Sequence, residues 1–397
     1  MEPKVWDNLI AAIHESGKQT VIAITGGGSG AIGRLLGVPG GSRSVLEAIV
    51  PYASAALVEF LGGTPDQFCS ERTARSMAMA AWVRARLLAG HADPYSLVGI
   101  GVTASLVSDK PKKGEHRIYI AAQTALATKT ISLTLDKGAR SRQEEESLAA
   151  KLVIVALAEA CGVDAAYERL EEKGLIKNPF TNPIDPSPEY WGGYGETIVQ
   201  HTQAAESEWR QLLLGEVQCV GCDAAPKVVF PGAFNPLHCG HVKMAELAAE
   251  KLGSGVAYEL SITNVDKPPL DFVEINERMR TIREQDPARE VLLTTAPTFV
   301  EKARLVAGAT FVVGADTVVR IADSKYYEGD ERRRDAAIAE IAAAGCRFLV
   351  FGRQVGKRFC SLGDVELPAE LRALCDVVAE WEFHEDVSST ALRQCSD

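Results

Sequence analysis

Two histidines three positions apart, His238 and His241, stand in the run Gly232-Ala-Phe-Asn-Pro-Leu-His-Cys-Gly-His241. Imidazoles can donate to phosphate oxygens and stabilise charge growing on a leaving group, which is most of what phosphoryl-type transfer asks of a protein. Their setting suits that chemistry. Val228 to Phe230 is a short β-branched and aromatic run that stops at Pro231-Gly232, so it predicts a buried strand ended by a turn. After His241, the apolar residues Met244, Leu247, Ala248 and Leu252 recur at helical spacing. The pair thus falls where a strand hands over to a helix N-terminus. Free N–H groups and the helix dipole favour a polyphosphate there, and Gly232 and Gly240 permit close backbone approach. Two other readings exist. Cys219-Val-Gly-Cys222 with the two histidines has the composition of a Cys2His2 zinc site. The gap between the histidines is shorter than such sites use, however, and a strand and a turn intervene, so no protein-bound zinc is expected. A pair of surface histidines on an ordinary turn is the other reading.

The histidine run resembles the GxFxPxHxGH signature of nucleotidyltransferases, which move a nucleotidyl group from a nucleoside triphosphate onto a phosphorylated acceptor. Three more strings follow in order. Asn264-Val-Asp-Lys-Pro-Pro269 and Ala322-Asp-Ser-Lys-Tyr-Tyr327 are similar to segments of nicotinamide mononucleotide adenylyltransferases and their relatives, and Val387-Ser-Ser-Thr-Ala-Leu-Arg393 resembles their (I/V)SST-x-x-R element. Between them, Phe311 to Asp316 predicts a buried strand ending in Gly-Ala-Asp. The resemblance implies that His238, His241 and Arg393 act on the triphosphate, and that Gly232, Ala233, Phe234, Lys267, Gly314, Asp316, Ser388, Ser389 and Thr390 contact nucleotide or phosphate. Lys267 would touch acceptor phosphate and Asp316 a ribose hydroxyl. Simpler roles stay open: an exposed loop lysine for Lys267, an N-cap for Asp316, and N-caps for Ser388 or Ser389. The implied substrates are ATP or CTP and a phosphorylated small molecule, nicotinamide or nicotinate mononucleotide leading, with Mg²⁺ bridging the triphosphate oxygens. A CTP-dependent cytidylyltransferase and a non-catalytic nucleotide-sensing protein are the alternatives.

The first half carries its own signals. Thr20 to Ile24 predicts a buried strand, followed by Thr25-Gly-Gly-Gly-Ser-Gly30 and an apolar helix through Leu36. Strand, glycine loop and helix make an anion-binding arrangement, but no Lys-Ser/Thr follows the glycines as in a P-loop, and tight helix packing explains the glycines equally well. Taken with Val38-Pro-Gly-Gly-Ser-Arg43, the segment Cys69 to Ala78, Gly101-Val-Thr103 and Gly114 to Ile120, residues 5–163 resemble the CinA C-terminal family, some members of which hydrolyse the amide of nicotinamide mononucleotide. The family's serine falls at Thr25 or is displaced to Ser29, and its lysine falls at Leu57, which cannot take a proton. The resemblance therefore implies a nucleotide-sized pocket, with Thr25, Ser29, Thr103 and Arg117 as candidates, whose deamidase machinery is lost or rebuilt. Lys110, Lys112 and Lys113 fit a solvated loop.

At 397 residues with 46% hydrophobic and 24% charged side chains, the chain has room for more than one ordinary globular domain. A formal charge of −11 argues against a nucleic-acid backbone as the main partner. No run approaches the ~20 apolar residues of a membrane helix, and nine scattered cysteines read as reduced thiols, so a cytoplasmic protein is expected, with self-association left open. The fold class expected is α/β: a CinA-like domain over 1–165, a Pro/Gly/aromatic-rich connector over 166–225, and a Rossmann-like, doubly wound parallel-sheet domain over 226–397. Within this plan, 142–160 predicts a helix closing the first domain, and 197–214 a helix leading to Cys219.

Overall fold

The computed structural model describes residues 2–110, 112–163, 197–222, 224–355 and 358–383. The proline-rich stretch expected as connector and the tail residues Ser388, Ser389, Thr390 and Arg393 lie outside them. The chain divides into two compact units, Met1–Arg210 with Asp266–Val273, and Gln211–Val265 with Glu274–Asp397.

The first unit runs α1 (Glu2–Glu15), β1 (Gln19–Thr25), α2 (Gly30–Gly37), α3 (Gly41–Ser44), β2 (Val45–Ile49), α4 (Ser54–Leu61), α5 (Glu71–Ala89), β3 (Leu97–Ser105), β4 (His116–Gln123), β5 (Ala127–Leu135), α6 (Arg142–Ala160) and β6 (Thr197–Ala204). Its sheet has the order β2-β1-β3-β4-β5-β6, parallel from β2 to β3 and antiparallel from β3 to β6. Both faces of β1 and β3 are buried, which is why those strands are continuous apolar runs rather than alternating ones. On one face, Ile10 and Ile13 of α1, Leu35 of α2 and the apolar side of α6 pack on Ile22, Ile24, Ile100 and Ile120. On the other, α5 lies unusually close to β3. A Cβ at Gly99 would come within 2.1 Å of the Ala78 carbonyl oxygen, and one at Gly101 within 2.2 Å of that of Ala74. Glycine in the strand opposite alanine in the helix is what lets the two backbones meet.

The helix expected over 197–214 is corrected. Thr197–Ala204 is an edge strand paired antiparallel with β5, and only Ser207–Leu214 (α7) is helical. The sheet supplies the reason: β5 offers an open edge, and Val199 and His201 on the added strand remain exposed. Asp266–Val273 also belongs to this unit. Asp271 pairs with Arg75 at 3.2 Å, both almost fully buried, and the Phe272 N–H donates to the Thr128 hydroxyl at 3.1 Å.

The second unit continues with β7 (Cys219–Val220), β8 (Val228–Pro231), α8 (Cys239–Leu252), β9 (Val256–Ser261), α9 (Phe272–Gln285), β10 (Val291–Thr294), α10 (Phe299–Leu305), β11 (Thr310–Gly314), α11 (Ala315–Ala322), α12 (Glu331–Ala343), β12 (Arg347–Phe351), the small hairpin β13 (Arg353–Val355) and β14 (Arg358–Cys360), α13 (Ala369–Ala373) and β15 (Cys375–Val378). The sheet order is β15-β12-β11-β8-β9-β10-β7, parallel throughout except for β7. The chain leaves β8 toward β9 and β10, then returns to lay β11 on the other side of β8. That reversal is the switch point at which doubly wound sheets open a crevice beyond their carboxyl ends.

Candidate active site

The neighbouring strands β8 and β11 each lead into a motif read as nucleotide-binding. The loop after β8 carries Gly232 to His238, and the loop after β11 carries Gly314-Ala-Asp316. His238 is the N-cap of α8 and His241 lies in its first turn, so the helix itself brings the two imidazoles together, stacked at 3.7 Å between ring centres. The His238 backbone N–H donates to His241 Nδ1 at 3.3 Å. A nitrogen that accepts carries no proton, so the neutral His241 ring holds its hydrogen on Nε2 and offers it as a donor. Burial, with the neighbouring His238 adding to it, pushes the His241 pKa down to about 3. At neutral pH this imidazole is an uncharged donor.

The loop is held by apolar contacts on one side and polar contacts on the other. The Phe234 ring is 2% exposed, stacks on Tyr258 at 4.8 Å and meets Phe230 and His241 edge-on. Its backbone sits in the left-handed region, with φ 46°, which is unfavourable for a bulky residue and is held there by this packing. A Cβ at Gly232 would fall 2.6 Å from the ring, so only glycine fits beneath it. Phe234 thus anchors the loop, and its side chain is not presented to a ligand. On the polar side, Arg278 donates to the Ala233 carbonyl at 3.0 Å and to Glu274 at 3.2 Å, and Asn235 donates to the same carboxylate at 3.5 Å. These residues of α9 were not singled out from the sequence; only the Glu274–Arg278 spacing hints at them.

Asp316 is exposed in the first turn of α11, whose N-cap is Gly314, so the N-cap alternative for Asp316 is replaced. A Cβ at Gly314 would come within 2.8 Å of Asp316 Oδ1, so glycine leaves space for that carboxylate to fold back toward the strand end. Lys267 is exposed within the first unit, its stem passing Gly63. Beneath the sheet end, Lys302 is buried and donates to both Glu259 oxygens at 2.8 Å, a structural ion pair. Among the described residues no group of three or more His, Cys, Asp or Glu side chains is placed to hold a metal ion. Cys219 and Cys222 pack against the apolar core of their unit.

In the first unit the glycine loop is already occupied. The Glu146 carboxylate of α6 accepts from Gly28 N–H at 2.8 Å, Gly30 N–H at 3.1 Å and the Ser29 hydroxyl at 3.2 Å. The loop is an anion cradle, as its pattern predicts, but the anion is the protein's own. Thr25 and Thr103 are register partners at the ends of β1 and β3, and the Thr103 hydroxyl donates to the Phe68 carbonyl. Leu57 is 2% exposed among Ala23, Leu61 and Met77, an environment with no place for an ammonium. Arg117 and Lys112 lie near Cys69, but burial outweighs them and pushes that thiol up.

Residues 229–395 match the family model described as cytidylyltransferase-like. Within the curated proteins, the chain is 35% identical over 114 residues to a Schizosaccharomyces pombe protein named "Putative nicotinamide mononucleotide adenylyltransferase". That alignment covers 26% of this chain and 45% of the relative, so the chain spans about half the length of the relative it matches. Among solved structures, it is similar to the competence/damage-inducible protein CihA of Agrobacterium tumefaciens, with 18% identity, TM-score 0.32, and coverage of 41% of this chain and 94% of that one. A CinA superfamily protein of Klebsiella pneumoniae matches at 13% identity and TM-score 0.32, covering 41% and 98%. Among the described residues no helix is long and apolar enough to cross a membrane.

Proposed function

We propose that the second unit transfers a nucleotidyl group, AMP from ATP, to a phosphorylated acceptor of the nicotinamide or nicotinate mononucleotide class, releasing pyrophosphate. The observation that carries this reading is the stacked His238–His241 pair at the first turn of α8, on the carboxyl end of the sheet beside Gly314-Ala-Asp316. His241 Nε2–H and the N–H groups at the start of α8 supply donors for triphosphate oxygens, and Asp316 is an exposed acceptor for ribose hydroxyls. An acceptor phosphate oxygen attacks the α-phosphorus, the bond to the β-phosphate oxygen breaks, and pyrophosphate leaves with the charge those donors neutralise. Mg²⁺ would arrive with the triphosphate and neutralise its oxygens. Arg393 and the Ser388 to Thr390 hydroxyls are proposed to complete the phosphate contacts, as the motif implies. The test is pyrophosphate release with ATP or CTP across a panel of phosphorylated acceptors. ATP with a pyridine mononucleotide is expected to be the productive pair, with His241→Ala slower by roughly 10²- to 10³-fold. A preference for CTP would make the domain a cytidylyltransferase, and no release with any pair would make it a nucleotide sensor.

We also propose that the first unit does not deamidate nicotinamide mononucleotide. The support is Leu57 buried where a proton-accepting lysine would be needed, and Glu146 holding the loop donors that would otherwise meet a developing oxyanion. No ammonia release above background is expected; release that disappears in Ser29→Ala or Thr25→Val would contradict this.

A further inference from the structure

A groove of about 520 Å³ opens on the first unit where α1, the end of α2 and α6 meet, with Trp6, Asp7, Arg34, Val38, Ser147 and Lys151 in its lining. Three features coincide there. Trp6 is 4% exposed, and among the described residues its indole N–H, like that of Trp82, is buried without a hydrogen-bond partner, whereas buried indoles ordinarily find an acceptor. Arg34 and Lys151 are half-buried cations, and among the described residues neither is joined to a carboxylate. Lys151 Nζ stands 5.9 Å from the Trp6 ring centre instead. A place in the last turn of α2 accounts for one cation, since a helix C-terminus attracts positive charge, and the Trp6 face for the other, but neither accounts for the orphaned indole N–H. On a chain of net charge −11, the groove brings together two half-buried cations and a buried indole N–H.

We propose that this groove is a binding site for a small organic anion with an apolar, planar body. The anionic group is met by Arg34 and Lys151, the body lies against Val38 and the indole, and the indole N–H gains its missing acceptor. Asp7, exposed at the rim, repels a long polyanion and so selects a ligand with one phosphate or carboxylate. This site is separate from the proposed transferase chemistry and is read without measuring activity.

The full-length chain is labelled with ¹⁵N, its five tryptophan indole signals are recorded, and the Trp6 signal is assigned by its loss in Trp6→Phe. The probes are AMP for the phosphate arm, benzoate for the carboxylate arm and adenosine as the uncharged control. A saturable shift of the Trp6 signal with AMP, benzoate or both, without one from adenosine, is expected. Arg34→Gln with Lys151→Gln should weaken it by roughly tenfold or more while the remaining indole signals keep their positions. The arm that responds identifies the anionic group. No movement with either anion up to ~10 mM, an equal shift with adenosine, or a shift unchanged in the double variant would overturn the assignment.

Discussion

His241 is built to stay neutral. Its Nδ1 is spent on the His238 backbone N–H, and burial together with the neighbouring ring lowers its pKa from the ordinary 6.5 to about 3. The sign of the linkage follows. Above pH 6.5 neither folded nor unfolded chain protonates this ring, and the folded state carries no penalty. As the pH falls from 6.5 toward 3 the unfolded chain takes up a proton that the folded one refuses, so stability is lost through that window. At pH 5 the loss amounts to roughly 2 kcal/mol, and urea midpoints at pH 5 and 7 should differ less in His241→Gln than in the parent. The placement of the two histidines between a strand and a helix start was legible in the residue types and their spacing. The His241 tautomer was not, because that depends on a backbone donor whose direction only the helix start determines. Glu274 and Arg278 were hidden for a related reason: their partners Asn235 and Ala233 are 39 and 45 positions away.

At the scale of elements, the loop from Gly232 to His238 is clamped between Tyr258 and α9, and glycine at 232 is the condition for the clamp. Gly232→Ala must displace the Phe234 ring. A loss of about 1–3 kcal/mol in denaturant unfolding is expected, with a larger proportional loss of the proposed nucleotidyl transfer, since the histidines follow the loop. Unchanged unfolding and turnover would mean that the ring is not held as described. Elements with their own periodicity were readable: the apolar runs of β1 and β8 and the helix Arg142–Ala160 fall where the sequence places them. β6 was not, because Thr197 to Ala204 has no strong period of its own and becomes a strand only by meeting the edge of β5. The glycine loop shows the same limit. Its pattern announces an anion, but Glu146 lies 118 positions from Gly28.

For the whole molecule, the two compact units do not follow simple chain order, since Asp266–Val273 belongs with the first. Arg75 is 5% exposed and has Glu71 and Asp271 as ion-pair partners, the latter 196 positions away. Asp271→Ala removes one buried carboxylate partner from that guanidinium and is expected to cost roughly 3 kcal/mol in the unfolding of the first unit. Asp271→Asn, which keeps an oxygen for the Arg75 Nε–H, should cost less. A fragment ending near residue 225 would lack Asp271 and the Phe272 N–H that donates to the Thr128 hydroxyl, and so would carry the same lesion without any substitution. A chimaera that joins the first half to a foreign partner would therefore have to supply a replacement carboxylate beside Arg75 or leave it with Glu71 and without Asp271.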